Sequence, residues 1–456
     1  MLEDTIIAIS TPMGYGGLGI VRLSGKKSLS IAKKIFKPKK KKNIKFQPRF
    51  CVLGNLYNFE QKEIFDEAYL TFFPEPHSYT REDMVEISCH GSPVVLEEVV
   101  HLGIKAGARH AHPGEFTLRA YLRGRIDILQ AEAVNDLIRA TSLKQAKLSF
   151  SQLQGKLSQK ISSFRAQIIH LLAQIEASIE FPDEVLRITS KSIAKTMGRV
   201  IHSLKKLIQS YDTGKTLTEG LALAITGRTN VGKSTLFNSL LEKERAIVTP
   251  YPGTTRDYLE EKIKIKDSIF NLIDMAGLDR PAHPVEEEGI RKGKELASQA
   301  DGLLLLFDAS RKESSEDIRL SRRYKDKKVL LLFNKIDLPL KMDMEKIKSK
   351  RENPRCLEIS ALKGTNLDKL KSMIHEFFVP PQKNGDEIIL HLRQKLLLED
   401  ILDCLTRGLH LLKEAYAEEV YAEEIRKTIP LIGQLTGEIQ MNEIMEDIFS
   451  KFCVGK

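Results

Sequence analysis

Apolar positions along the chain fall into three textures. Residues 1–118 carry short β-like runs (Ile6 to Ile9, Ile20 to Leu23, Ala68 to Phe72 and Met84 to Ser88) set between glycine turns, which predict an α+β domain. From 119 to 216 the period lengthens. Leu153, Leu157, Ile161, Phe164, Ile168, Leu172, Ile175 and Ile179 recur at steps of three and four, an apolar stripe on one helix that Pro182 ends. Ser190 opens a second amphipathic helix through Ile193, Met197, Val200, Leu204, Leu207 and Tyr211. The helical texture returns over 379–456, where Pro430, lacking a backbone donor, is expected to kink or interrupt the last helices. Between the helical stretches, over 217–378, strands alternate with helices in a βαβ rhythm. Its runs Leu303 to Phe307 (LLLLF) and Val329 to Phe333 (VLLLF) suit strands buried on both faces. The expected architecture is multidomain: an N-terminal α+β domain, an all-α helical domain in two halves, and an inserted α/β P-loop domain of Ras-like type. No internal repeat and no second phosphate loop support a tandem arrangement.

Composition adds limits. With 456 residues, 42% of them hydrophobic and 29% charged, the chain reads as an ordinary soluble protein of several domains. No apolar run approaches the ~18–20 residues that span a bilayer, and MLEDTIIAIS lacks the marks of a signal peptide. The five cysteines, Cys51, Cys89, Cys356, Cys404 and Cys453, form no CxxC pair, which favours a reducing cytoplasm over disulfides or zinc. His90, His101, His110 and His112 fit no common metal spacing. The net charge of +10 raises the chance of a polyanionic partner. Its densest run, Lys37 to Lys42 with Lys45, is either a solvated loop or a contact to nucleic-acid phosphates.

The central texture carries the chemistry. Leu221 to Thr226 reads as a buried strand, so Gly227 to Ser234 (GRTNVGKS) has the strand–loop–helix setting of a phosphate-binding loop. Gly227 and Gly232 let the backbone curl its N–H groups toward phosphates, aided by the helix dipole. Contacts to GTP are expected from Asn230, Val231, Gly232, Lys233, Ser234 and Thr235, with Lys233 on the β- and γ-phosphates and Ser234 on Mg2+. Thr249, Pro250, Tyr251, Pro252, Gly253, Thr254 and Thr255 lie where a switch belongs, Thr255 sensing Mg2+ and the γ-phosphate. Asp274 ends a strand and should hold Mg2+ through water; Met275 and Ala276 follow, and the Gly277 N–H meets the γ-phosphate. In Asn334-Lys335-Ile336-Asp337 the aspartate accepts from N1–H and the 2-amino group of guanine. Adenine lacks that donor pair, and an unpaired buried carboxylate is costly, so GTP and GDP are preferred over adenine nucleotides. Ser360, Ala361 and Leu362 supply backbone N–H groups near guanine O6.

Hydrolysis is less plainly written. Leu278 stands where many GTPases place a glutamine, and it neither neutralises charge nor positions water. Arg256 and Arg280 are candidate fingers. The acids of Val285-Glu286-Glu287-Glu288 either orient water or open a helix, where negative charge suits the dipole.

At this point the chain resembles one family along its whole length, the tRNA-modification GTPases called MnmE or TrmE. The resemblance rests on Asp4-Thr5-Ile6, the run Gly16 to Gly25 (GGLGIVRLSG), Tyr79-Thr80-Arg81-Glu82-Asp83, Pro113 to Thr117 (PGEFT), Gln130 to Val134 (QAEAV) and the terminal Phe452-Cys453-Val454-Gly455-Lys456. It implies a K+-assisted GTPase activated by dimerising its G domains, with Asn230, Thr249, Tyr251 and Thr254 around the ion and Glu286 as the catalytic carboxylate. A cation there supplies the charge of an arginine finger. It implies further that the N-terminal domain, also the dimerisation domain, binds a tetrahydrofolate derivative (5-formyl or 5,10-methylene) through Arg22, Glu86, Arg125 and Lys456. Cys453 is implicated in catalysis, and the residues alone leave it as a thiol packed near the last helix. The implied partners are tRNA, a second copy of the chain, and the FAD-dependent MnmG (GidA) in a heterotetramer. Together they install an aminomethyl or carboxymethylaminomethyl group at C5 of the wobble uridine. Met275 and Asp279 replace the family's usual Thr and Arg, and Arg125 its usual lysine. Two other readings are a ribosome-assembly GTPase of the Era or Der kind, which would need a KH-like domain that is missing here, and a nucleotide-dependent scaffold without chemistry.

Overall fold

A computed structural model describes residues 4–39, 46–180, 189–218, 220–244, 259–274, 300–324, 327–379, 388–439, 445 and 448–456. They group into two compact units: Met1–Asn135 with Phe150–His202 and Leu397–Lys456, and Asp136–Ser149 with Ser203–Leu396. The fold class is the expected one, an α+β N-terminal region, helices, and an α/β P-loop sheet. Among the described residues no helix is long and apolar enough to cross a membrane.

In the first unit, strands β1 (Ile6–Ile9), β2 (Gly16–Ser24), β3 (Phe36–Pro38), β4 (Cys51–Asn58), β5 (Glu63–Phe73), β6 (Met84–Gly91) and β7 (Arg109–His110) form a sheet in the order β3-β4-β5-β6-β2-β1-β7. Only β1 and β7 pair in parallel. Alternation splits β1 between two faces. Ile7 joins Val21, Leu23, Val85 and Ile87 beneath the helices Ser28–Ile35 and Pro93–Lys105, while Ile6 and Ala8 meet Ala111 and Phe116 on the other side. Each of the buried Ile, Val, Leu and Phe side chains among these contributes about 1.5–3 kcal/mol.

Below that second face lies a knot of charge. Arg119, 1% exposed, donates to Asp4 Oδ1 at 2.6 Å, Glu115 Oε1 at 2.9 Å and Glu82 Oε2 at 3.1 Å. Arg109 bridges Asp4 and Glu115, and Arg123 reaches Glu82 at 2.8 Å. Burial would raise the Glu115 carboxyl, but hydrogen bonds from Arg109, the His112 N–H and Arg119 hold it below the usual carboxylate range. The sign follows from that depression. Its stabilisation is present above the ordinary glutamate pKa and is lost as pH falls through the lowered one.

The helix Lys156–Glu180 buries Leu157, Ile161, Phe164, Ile168, Leu171, Leu172 and Ile175, and the late helices Glu418–Arg426 and Thr428–Thr436 pack on it. Arg426 to Glu176 at 2.8 Å and Arg165 to Glu438 at 3.1 Å flank the seam. Leu153 departs from expectation. It ends a separate helix, Leu143–Leu153, and a turn at Gln154 and Gly155 precedes the long one. The stripe kept phase across that turn, so periodicity alone merged two helices. Pro430 is the third residue of Thr428–Thr436, where the missing N–H would have had no partner inside the helix. The interruption therefore falls at Lys427, before the proline. Pro182 lies outside the described residues.

In the second unit β8 (Leu221–Gly227), β9 (Leu259–Ile265), β10 (Ser268–Asp274), β11 (Gly302–Asp308), β12 (Val329–Asn334) and β13 (Arg355–Glu358) run in the order β13-β12-β11-β8-β10-β9, parallel except for β9 with β10. β11 and β12 are buried at every position, as their unbroken apolar runs require. Leu304, Leu306, Leu330 and Leu332 pack under the helices Lys233–Glu244 and Leu367–Phe378; Leu303, Leu305, Leu331 and Phe333 pack on the opposite face.

Arg119→Ala is expected to destabilise the first unit by about 3–5 kcal/mol, because it leaves buried carboxylates without their cation. Denaturant unfolding followed by a probe in that unit measures it, and a loss below about 1 kcal/mol would contradict the account of the knot.

Candidate functional site

The phosphate loop leaves β8 and enters the helix that begins at Lys233. Three of its residues take positive φ, Gly227 at 155°, Asn230 at 61° and Gly232 at 101°. Gly232 cannot carry a side chain, since a Cβ there would collide with the Asn334 amide nitrogen. Lys233 is 4% exposed, and its Nζ donates to the carbonyls of Gly227 at 2.8 Å and Arg228 at 3.0 Å. The ammonium is thus folded over the loop that would cradle a phosphate. Ser234 and Thr235 follow on the exposed side of the helix start, and Asp274, 2% exposed, ends β10 beside β8. Serine hydroxyl and carboxylate oxygens are the hard donors that Mg2+ prefers.

The base-reading end is built on the same sheet edge. Asn334, ending β12 and 2% exposed, donates Nδ2 to the Val231 carbonyl at 2.8 Å and accepts the Ala361 N–H on Oδ1 at 2.9 Å. Lys335, at φ 69°, reaches the Asn230 carbonyl and Asp308 Oδ2, both at 2.7 Å. Asp337 is exposed and accepts from the Ser360 hydroxyl at 2.6 Å, whose oxygen in turn takes the Lys363 N–H at 3.1 Å. Leu362 stands 75% exposed beside them. Asp308 and Ser310 were not among the expected residues. Burial would raise the Asp308 carboxyl, but Lys335 and Ser310 hold it below its usual range. Its one signal in the sequence is the acid closing the LLLLF run.

Several expected residues lie outside the described ones: Thr249 to Thr255, Arg256, Met275 to Arg280, and Val285 to Glu288 with Glu286 among them. For the cation set, only Asn230 has a described position.

A second constellation lies in the first unit. A cavity of about 530 Å³ is lined by Phe73, Pro76, Tyr79 and Met84 together with Glu86 and Arg125. Arg22 on β2 grips Glu86 on β6 through Nε at 3.0 Å and Nη2 at 2.7 Å, strands paired at that register. Arg125, in the turn after the Glu115–Leu122 helix, lies 4.8 Å from the Tyr79 ring centre and donates to the Ser78 carbonyl at 3.1 Å. Tyr79 belongs to a motif that carries the family resemblance but was not among the expected site residues. Its hydroxyl meets Thr117 at 2.9 Å, and burial pushes its pKa up against the pull of Thr117, Arg125 and Arg22.

The end of the chain joins this constellation. The Gly455 carbonyl accepts from Arg22 Nη1 at 3.3 Å and from the Ser10 hydroxyl at 3.1 Å. Gly455, at φ 91°, runs so close to the Ile9 carbonyl that no Cβ fits. Burial, then Arg22, push the Lys456 ammonium below its ordinary value. The Cys453 carbonyl accepts the Gly114 and Lys456 N–H groups, each at 3.4 Å, and its half-buried thiol sits in the same turn. The histidines do not converge: His90 pairs with Asp66 at 2.6 Å, and among the described residues no cluster of three or more metal-ligating side chains occurs. From the basic run, Lys39 pairs with Glu67 and Lys37 stacks on Tyr57.

A mostly parallel sheet with a GxxxxGKS loop on one strand and NKxD closing another defines a P-loop GTPase. The comparisons narrow the class. The "GTP-binding protein TrmE N-terminus" family matches residues 5–125 and the "MnmE helical domain" family residues 128–453. The tRNA modification GTPases MnmE of Acetivibrio thermocellus and Aquifex aeolicus are each 39% identical, covering 100% of this chain and 99% and 100% of their own. The chain belongs to the MnmE family of tRNA modification GTPases. Among solved structures, the G domain of the T. maritima FeoB iron transporter is 27% identical over 34% of this chain and 98% of that one, at a TM-score of 0.27.

Gly232→Ala is expected to weaken GTP and GDP binding by about 100-fold or more, since it displaces the Asn334 amide and the loop N–H groups together. Titration with a fluorescent guanine nucleotide measures this; wild-type affinity in the variant would show that the loop has room for a Cβ.

Proposed function

We propose that this chain is a GTP hydrolase whose turnover is coupled to modification of the wobble uridine of tRNA at C5, yielding the 5-carboxymethylaminomethyl or aminomethyl form. The observation that carries the reading is the shared anchoring of the phosphate loop and the base-reading loop on Asn334, in a chain whose full-length relatives are named tRNA modification GTPases. Phosphate oxygens would take the Lys233 ammonium from the Gly227 and Arg228 carbonyls. Asp337 reads guanine, and Ser360 orients its carboxylate. Ser234, Thr255 and, through water, Asp274 are the oxygen donors for Mg2+. Asn230, Thr249, Tyr251 and Thr254 are the ligands for K+, which supplies the positive charge that Leu278 cannot. Glu286 orients the attacking water.

The cavity of the first unit fits a folate-type ligand. Glu86 is an acceptor for an amino-heteroaromatic face, Tyr79 and Met84 offer apolar walls, and Arg125 matches a carboxylate tail. Arg22 and Lys456 complete the charge around Glu86. Cys453, whose carbonyl accepts the Lys456 N–H, is the thiol assigned in this reading to the modification chemistry. The reading includes a cytoplasmic homodimer working with an FAD-dependent MnmG partner, and the domain bounds 1–118, 119–216, 217–378 and 379–456.

Two measurements test it. GTP turnover is expected to be roughly tenfold or more faster in K+ than in Na+; equal rates in the two salts would remove the cation from the mechanism. Cys453→Ser, expressed in a strain lacking the native gene, is expected to abolish the modified nucleoside. Normal modification by that variant would show that the thiol is dispensable.

A further inference from the structure

The cavity that holds Glu86 carries more positive charge than the two carboxylates of a single glutamyl tail would use. Arg49, Arg81 and Arg125 all line it, and none has an ion-pair partner among the described residues. Its one lining carboxylate, Glu86, is already held twice by Arg22. The contrast within the unit is sharp: Arg109, Arg119 and Arg123 are each matched to buried acids. Protein surfaces tolerate single unpaired arginines, but three converging on one concavity with a neutralised acid describe a receptor for several negative charges.

The backbone supports the same conclusion. Arg49 stands at φ 64° and Arg81 at φ 57°, left-handed conformations that residues bearing a Cβ adopt at a cost. Both are exposed, so packing does not compel those conformations. Each is nevertheless tethered. The Arg49 N–H donates to the Phe72 carbonyl at 2.8 Å, and Arg81 Nη1 donates to the Arg123 carbonyl at 2.9 Å, leaving the rest of its guanidinium fork for a ligand. A stripe of arginines on a convex face would suit an RNA backbone. Here they share a cavity with an aromatic ring and an acceptor carboxylate, which suits a small amphipathic molecule with an anionic tail.

We propose that the cavity takes a folate-type ligand whose tail carries more than the two carboxylates of a single glutamate, an oligo-γ-glutamyl form, with Arg125 meeting the carboxylate nearest the ring system and Arg49 and Arg81 the later ones. This rests on the folate reading of the same cavity. The test is isothermal titration of the full-length protein with 5-formyl-tetrahydrofolate in its monoglutamate and triglutamate forms, for wild type, Arg49→Ala, Arg81→Ala and the double variant. The readout is the ratio of the two affinities, which a general loss of folding would not change selectively. The triglutamate is expected to bind about tenfold more tightly to wild type, and the ratio to fall to about twofold or less in the double variant. Equal affinities in wild type, or an unchanged ratio in the double variant, would overturn the proposal while leaving the folate reading intact. Binding of neither form would overturn both. Loss of tRNA affinity in the variants with an unchanged ratio would assign the arginines to the RNA backbone instead.

Discussion

One buried amide ties the nucleotide site together. Asn334 is a single side chain with a donor at one end and an acceptor at the other, and it uses both across loops far apart in sequence. Its donor holds the phosphate loop at Val231 and its acceptor holds the base-reading loop at Ala361. At 2% exposure the amide has little access to water that might replace either bond, so moving one loop leaves a buried polar group unmet. Lys335 adds a parallel tie from Asn230 to Asp308. The two ends of a guanine nucleotide would therefore be met by surfaces already in register. The parallel sheet makes this possible, because β8, β11 and β12 present these termini along one edge.

The same economy of polar groups separates two regions of the first unit. Around Arg119 the cation faces acids on three sides, tying Asp4 before β1 and Glu82 before β6 to the helix that precedes Arg125. Around Glu86 the balance is tipped toward cations, in a space that stays open. The terminal residues bring a backbone carbonyl, an ammonium and a thiol to that second region. Closure of the chain end onto β1 and β2 is thus part of how the constellation is assembled.

Much of this was legible in the sequence, and for identifiable reasons. Short unbroken apolar runs inside a βαβ rhythm suit strands covered on both faces, so β11 and β12 were readable; the strand–loop–helix setting of GRTNVGKS and the strand end at NKID were readable too. What escaped depended on tertiary neighbours. Asp308 looks like the polar end of a strand until Lys335 is seen on it. Tyr79 looks like a turn tyrosine until Arg125 and Thr117 flank it. Gly155 broke a helix without disturbing the apolar phase, and the strained backbone of Arg49 and Arg81 has no counterpart in residue type. The residues proposed for hydrolysis, from Thr249 to Thr255 and around Glu286, lie outside the described ones.

The central claim is that this nucleotide site serves chemistry on the tRNA wobble base. Mass spectrometry of wobble nucleosides from a strain lacking the gene, with and without this chain restored, tests it most directly. The account predicts that the 5-carboxymethylaminomethyl or aminomethyl uridine disappears in the deletion and returns with the chain. A wobble uridine modified equally in both strains would contradict it.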